Sequence, residues 1–206
     1  MRKDGILNNR EERIMYKFLA TTSLILATQI SFAATWQLNN SNSHVDFTST
    51  KNGTISEDSK FTQFSGTISD NGQATVQVSL NSVDTRIALR DERMRELLFE
   101  TARFPQATFT TKIDTKTMQE LSDNQPHTIE VDGTLDLHGV QHPIQTKVVA
   151  QQVNANTLQI KNAEPLVLNT NDYNMAAGVA ALQKLAGLNN ISSSVPVNFT
   201  LTFDKK

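Results

Sequence analysis

The sequence contains no cysteine. That single absence removes disulfides, thiolate metal sites and cysteine nucleophiles together, so the fold has to be held by its core. Positive charge is not in excess either: 19 Lys and Arg stand against 21 Asp and Glu, which gives a nucleic-acid partner no electrostatic footing. No apolar run is long enough to span a bilayer. The longest, Phe18 to Ile30, is about 13 residues and is broken by small or polar ones, whereas a transmembrane helix needs roughly 20. Also missing are a Gly-x-Ser-x-Gly elbow, a Gly-rich phosphate loop, internal repeats and low-complexity tracts, so the common hydrolase and nucleotide signatures have no foothold.

The beginning of the chain reads as processing rather than fold. From Met15 the order is one lysine (Lys17), the apolar stretch Phe18 to Ile30, and then Ser31-Phe32-Ala33 with small residues at the positions a signal peptidase reads. Residues 15–33 are therefore expected to be a secretory signal peptide, cleaved after Ala33. Residues 1–14 precede an already complete signal and read as an upstream extension with Met15 as the biological start; an unusually long charged leader is the alternative. The mature part, residues 34–206, is of one-domain size. It carries 14 Lys and Arg against 18 Asp and Glu, a net charge of −4.

Two-residue periodicity dominates this mature part. Val45 and Phe47, then Phe64, Gly66 and Ile68, then Val76, Val78 and Leu80 alternate with polar residues. So do Ile129, Val131, Gly133, Leu135 and Leu137, and Val195, Val197, Phe199, Leu201 and Phe203. Such alternation marks antiparallel strands with one buried and one wet face. Further strands are expected over 35–39, 106–113, 143–153, 156–162 and 164–170. Turn signals separate them at Asn52-Gly53, Asp70-Asn71-Gly72, His138-Gly139 and Asn154-Ala155-Asn156. Many strands in one domain predict a closed barrel, because closure removes exposed edges; a sandwich is the alternative.

Two segments break the alternation. "GVAALQKLAGL" (178–188) places Val179, Leu182 and Leu185 at helical spacing, with Gly187 set to end the helix. "LRDERMRELLFETARFP" (89–105) carries Arg90, Arg93, Arg95 and Arg103. In it Met94, Leu97 and Leu98, with Ile87 a little upstream, predict an amphipathic helix over roughly 91–101, with Asp91 as N-cap and Pro105 as its stop. Arg93, Arg95 and Glu96 would then face water. On the plain structural reading this is a crossover whose apolar stripe closes one barrel end while its charges are merely solvated. On the functional reading Arg90 and Arg93 border a pocket mouth and meet a polar or anionic head group, since the guanidinium fork suits phosphate or carbonyl oxygens.

Other chemistry finds little support. His138 and His142 are four apart, but Gly139 and Pro143 intervene, so they read as turn residues rather than a metal pair. His44 reads as a surface or edge residue and His127 as a loop residue. Asp84 and Asp91 could be posed as a glycosidase pair, yet nothing makes them converge, and Asp84 reads better as a turn or helix cap. No catalytic residue and no metal ligand is assigned, and no cofactor is expected.

The order of short motifs carries more information than any one of them. "W-x-L" (36–38), "S-H-V-x-F" (43–47), "F-x-G-x-I" (64–68), "V-D-T" (83–85), "R-D-E-R-M" (90–94), "F-P-Q-A-T-F" (104–109), "V-x-G-x-L-x-L-H-G-V" (131–140) and "V-P-V-x-F" (195–199) follow one another from Thr35 to Phe203. This succession resembles the YceI-like family of exported polyisoprenoid-binding proteins. The resemblance implies a mainly β fold, a lipocalin-like antiparallel β-barrel with two short helices, enclosing a long apolar cavity. It also implies a periplasmic binding or carrier role for an isoprenoid lipid of the quinone or polyprenyl phosphate type, which would be the chain's partner; a homodimer stays open. Phe47, Val78, Leu80, Ile87, Met94, Leu97, Phe109, Leu135 and Phe199 would line the tail pocket, and Arg90 and Arg93 would meet the head group. Position 93 is Arg where many members have His, and 178–192 looks like a subgroup feature. Gly66, Gly133 and Ala107 on the apolar faces would either leave room for the tail or mark barrel bends.

Two competing readings remain. One is a stress-induced envelope protein with a solidly packed barrel that acts through protein contacts, with the apolar face of 179–188 as the partner surface. The other is an enzyme acting on a lipid, for which the sequence names no reaction.

Overall fold

Alternating apolar residues do form strands, and the strands close on themselves. The computed structural model describes residues 35–206; the expected signal peptide and the upstream extension lie outside the described residues. Among the described residues twelve strands follow one another: β1 (Trp36–Leu38), β2 (His44–Lys51), β3 (Ile55–Phe61), β4 (Phe64–Ile68), β5 (Gln73–Ser79), β6 (Val83–Asp84), β7 (Gln106–Lys112), β8 (His127–Leu137), β9 (Val140–Asn154), β10 (Thr157–Asn162), β11 (Leu166–Asn169) and β12 (Ser194–Lys205). The order β1-β4-β5-β7-β8-β9-β10-β12 returns to β1, since β12 pairs with β1 through Leu38 and Phe203. That is an eight-stranded antiparallel barrel, not a sandwich. β2, β3 and β6 extend the wall from the flank of β12, and β11 pairs with the start of β12.

The long hairpin β8–β9 shows how local sequence sets register. Leu137 pairs with Val140 across a two-residue turn in which His138 and Gly139 both have positive φ, 54° and 75°. Two left-handed residues in succession give the turn whose twist matches the strands, and they lock eleven cross-strand pairs down to His127 and Ala150. In β8 this turns Ile129, Val131, Leu135 and Leu137 inward and Glu130 and Asp132 outward.

Among the described residues there are three helices rather than the two expected: α1 (Ala88–Arg93), α2 (Thr115–Glu120) and α3 (Ala176–Leu185). The unexpected one, α2, is capped by Asp114, whose carboxylate accepts from the Thr117 amide at 2.9 Å. Its Met118 and the following Leu121 pack on Trp36, Ile68, Ala150 and Phe203, forming the floor of the barrel. α3 ends as its glycine predicts. Gly187 has φ +64°, and the Gly187 and Leu188 amides return to the Lys184 and Gln183 carbonyls.

The charged interruption differs in detail from the expected helix. α1 begins at Ala88, with Ile87 and not Asp91 in the capping position. Asp91 lies inside the first turn and reaches back instead, its Oδ1 accepting from the Thr85 amide at 2.8 Å and the Thr85 hydroxyl at 2.5 Å. From Met94 to Leu98 the helix widens into a π-turn, closed by the Phe99 amide on the Met94 carbonyl at 2.9 Å. The extra residue per turn rotates the apolar stripe, so Met94, Leu98 and Phe99 are buried together. The chain leaves this segment at Glu100, whose φ is +46°. Pro105 is therefore not the helix stop; its carbonyl accepts from the Leu80 amide just ahead of β7.

Candidate ligand cavity

Inside the barrel lies a cavity of about 410 Å³, within the range of pockets that hold small molecules. Its walls are overwhelmingly apolar. The floor is the tight cluster of Ile68, Ala74 and Phe203, and the sides come from inward-facing residues of the ring strands other than β1, with additions from β2, β3 and β11. Of the expected tail residues, Phe47, Val78, Leu80, Met94, Phe109, Leu135 and Phe199 line it. Ile87 and Leu97 do not. Ile87 precedes α1 and is 52 % exposed. Leu97 lies within the π-turn, half-buried, with its backbone carbonyl against Gly178 of α3.

Small residues on the inward face have a definite use. A Cβ at Gly133 would run into the Phe109 ring and sit 2.7 Å from the Thr110 carbonyl oxygen, and one at Gly66 would sit 2.8 Å from that of Thr75. Gly133 thus gives space to an aromatic side chain of the wall, not to the cavity itself. Ala107 lines the cavity directly.

The other end of the cavity is roofed by helices. Met94 and Leu98 of the π-turn segment and Val179, Leu182 and Ala186 of the α3 region contribute side chains, with Leu188 and Ile191 beyond. Val179 and Leu182 therefore point inward, so most of the α3 face that protein contacts would have used lines the cavity, while Leu185 of the same stripe stays 51 % exposed. Gly178 permits this roof: a Cβ there would meet Leu98 Cα at 2.8 Å.

Polar groups gather at this end. Lys51, Arg90 and Arg93 all line the cavity; Arg93 does not face plain solvent as the helical spacing suggested, because the roof turns it inward. Glu57 of β3 bridges two of the cations. Its Oε2 takes Lys51 Nζ and, at 2.5 Å, Arg90 Nη1. The Lys51 hydrogen bond, helped by the Arg90 charge and opposed by partial burial, holds the Glu57 carboxyl below its ordinary range. Arg90 Nη2 donates to the Thr85 carbonyl at 2.7 Å. Arg93 makes no ion pair among the described residues.

Sequence reasoning missed Lys51, Thr170 and Tyr173, which also line the cavity. Lys51 could have been found from its place beside the Asn52-Gly53 turn at the end of an alternating strand. Thr170 and Tyr173 lie on a short 3-10 turn (Thr170–Tyr173) ahead of α3, which no periodicity marks. Burial, with a smaller push from the Asp172 charge, raises the Tyr173 phenol above its usual range.

The remaining candidates have structural duties. His138 occupies the β8–β9 turn, its ring 4.5 Å from that of Phe104 and its Nδ1 3.2 Å from the Tyr173 carbonyl oxygen. His142 lies on β9 with its ring 5.9 Å from Tyr173, His44 is exposed, and His127 Nε2 lies 2.8 Å from Asp123. Asp84 accepts from the Arg86 amide at 2.8 Å, capping a turn. Among the described residues no His, Cys, Asp and Glu cluster could hold a metal ion, and no helix is long and apolar enough to cross a membrane.

Comparison with known proteins places this architecture. The YceI-like domain model matches residues 36–203. A polyisoprenoid binding domain from Saccharophagus degradans, implicated in plant cell wall breakdown, is 37 % identical with a TM-score of 0.80, covering 83 % of this chain and 98 % of that one. BcnA of Burkholderia cenocepacia shares the fold at 17 % identity and TM-score 0.62, over 80 % of this chain and 98 % of its own. The YceI protein of Campylobacter jejuni does so at 16 % and 0.53, over 72 % and 84 %. No curated protein sequence matched. An eight-stranded barrel around an apolar cavity, matched to the family across nearly all of the described chain, makes this protein a member of the YceI-like domain family.

Proposed function

We propose that this protein binds an isoprenoid lipid in the barrel cavity and carries it through the periplasm. The observation that carries the reading is the cavity itself: about 410 Å³ enclosed by apolar side chains from the floor at Phe203 to the roof at Val179 and Leu182. The polyisoprenoid binding domain of Saccharophagus degradans supports the chemical class. Energetics support it too. Each buried CH₂ contributes about 0.8 kcal/mol, so one five-carbon unit supplies roughly 3–4 kcal/mol before ordering costs, and a few units reach micromolar to nanomolar affinity at about 1.4 kcal/mol per tenfold.

In this reading Phe47, Val78, Leu80, Met94, Phe109, Leu135 and Phe199 hold the tail. Arg90 and Arg93 face the head group, of quinone or polyprenyl phosphate type, and no catalytic step or cofactor is involved. Export rests on the charged start, short apolar middle and small-residue exit of residues 15–33.

Native mass spectrometry and organic extraction of protein purified gently from an envelope fraction test the binding. An isoprenoid recovered at near-stoichiometric occupancy is expected. Protein that emerges empty, and that fails to take up added short-tailed quinone or polyprenyl phosphate, would reject it. Sequencing the mature N-terminus tests export, with Ala34 expected first.

A further inference from the structure

Four polar side-chain atoms are buried without a hydrogen-bond partner among the described residues: Arg90 Nε, His138 Nε2, Thr170 Oγ1 and Tyr173 Oη. Three of the four, all but His138, belong to residues that line the cavity. Native folds rarely leave a buried hydroxyl unpaired, because its lost hydration is not returned. Tyr173 is the sharpest instance: it is only 2 % exposed, and phenylalanine would fill the same space without the penalty.

Thr170 and Tyr173 bound a single 3-10 turn. At a spacing of three, side chains of such a turn stand on one face. The turn is fixed through its backbone. The Thr170 amide donates to the Ser193 carbonyl at 2.8 Å, the Met175 amide to the Thr170 carbonyl at 3.0 Å, and His138 Nδ1 holds the Tyr173 carbonyl. The two hydroxyls are left over from that network. Tyr173 packs in the same apolar cluster as Met94, one helical turn beyond Arg90. On Arg90, Nη1 donates to Glu57 and Nη2 to the Thr85 carbonyl, so Nε is the guanidinium nitrogen left buried without a partner.

We infer that Thr170 and Tyr173, with Arg90 Nε as a third donor, form an internal subsite for an oxygen acceptor on the polar end of the isoprenoid. This rests on the lipid-binding reading above and adds to it where the head lies and what recognises it. A quinone carbonyl and a phosphoryl oxygen both present the required lone pairs. The head group is then drawn under the roof formed by the π-turn and α3, and an isoprenoid hydrocarbon without oxygen loses this part of the interaction. Discrimination of this kind is strong because a site built to hydrogen-bond leaves its own buried groups unpaired with the wrong ligand.

Tyr173→Phe and Thr170→Val test the subsite, each removing a hydroxyl while keeping shape. Affinities are measured for three probes, a short-tailed ubiquinone, a short-tailed polyprenyl phosphate and squalene, alongside urea unfolding of each variant. Tyr173→Phe is expected to weaken at least one oxygen-bearing probe about tenfold, Thr170→Val about threefold to tenfold, with squalene affinity and the unfolding midpoint held or raised. The probe with the larger loss identifies the carbonyl or the phosphoryl source. Unchanged affinity for both oxygen-bearing probes overturns the inference, and so does an equal loss for all three. If Tyr173→Phe does not fold, Thr170→Val decides alone by the same criteria. Wild-type protein that binds none of the probes rejects the lipid-binding reading itself, a different result from wild-type binding with no dependence on the hydroxyls.

Discussion

Arg90 Nη1 meets Glu57 Oε2 at 2.5 Å, joining the helix that interrupts the strand pattern to a strand whose own sequence hardly alternates. The contact explains why the charged stretch is where it is. Arg90 leaves α1 toward the barrel, Glu57 leaves β3 toward the cavity end, and Lys51 of β2 completes the bridge on the same carboxylate oxygen. One carboxylate thus serves two cations and offsets a single positive charge, while Arg93 remains without an ion pair among the described residues.

That bridge has a pH signature. The Glu57 carboxyl is held below its ordinary value of 4.5, so its contribution is fully present above that value and is lost as pH falls through the lower folded value. Wild type should exceed Glu57→Gln in stability at neutral pH by about 0.2–1 kcal/mol, the modest size fitting a carboxylate still partly open to solvent. The gap should close in strong acid. Thermal midpoints of both proteins from pH 7 to acid check this; Asp114 and Asp123, also held low, titrate in both and cancel. A gap independent of pH would show that Glu57 acts through packing alone.

Asp91 secures the start of the same segment by accepting from the amide and hydroxyl of Thr85, which is 2 % exposed. Asp91→Ala leaves two buried donors without that acceptor and is expected to cost about 2–3 kcal/mol. Asp91→Asn retains an acceptor oxygen and should cost clearly less. Urea unfolding of the two variants separates them, and equal losses would mean that the charge, not the hydrogen bonds, is what counts.

Gly133 sits beneath the Phe109 ring, with the Thr110 carbonyl close behind. Gly133→Ala should therefore destabilise by about 1–3 kcal/mol through overpacking. Gly133→Val should push the ring into the cavity and cut the lipid recovered with the protein. Native mass spectrometry alongside urea unfolding measures both; lipid occupancy equal to wild type in Gly133→Val would show that the ring has another way to move.

Gly178 poses a direct contest between propensity and packing. Alanine favours a helix over glycine by about 0.8–1.0 kcal/mol, yet a Cβ here meets Leu98 Cα at 2.8 Å. Packing is expected to win, with Gly178→Ala losing about 1–3 kcal/mol and amide exchange quickening in α3 and the π-turn. A stabilised variant would mean that α3 can lift off its neighbour without cost.

The primary structure carries the barrel wall. Alternation at Ile129 to Leu137 and at Val195 to Phe203, with turns at Asn52-Gly53 and His138-Gly139, determines which side chains face inward, because a strand has a period of two and a tight turn demands left-handed residues. β3 is not legible in this way because Glu57, Asp58 and Lys60 break its alternation, and their partners lie on other elements: Arg90 of α1 for Glu57, the Thr48 hydroxyl of β2 for Asp58 and Asp84 of β6 for Lys60. α2 is similarly hidden in a short polar stretch whose Met118 has meaning only against the barrel floor.

Tertiary structure alone decided the roof. Ile87 and Leu97 are expected in the tail pocket, but Ile87 stays exposed ahead of α1, the π-turn at Met94–Leu98 keeps Leu97 off the cavity, and Arg93 lines it instead. Lys51, Thr170 and Tyr173 converge on the cavity from β2 and from a 3-10 turn more than a hundred residues apart in sequence. Local periodicity reports the direction of one side chain relative to its neighbours; which groups share a hollow depends on where the closed sheet puts the elements, and no single segment encodes that.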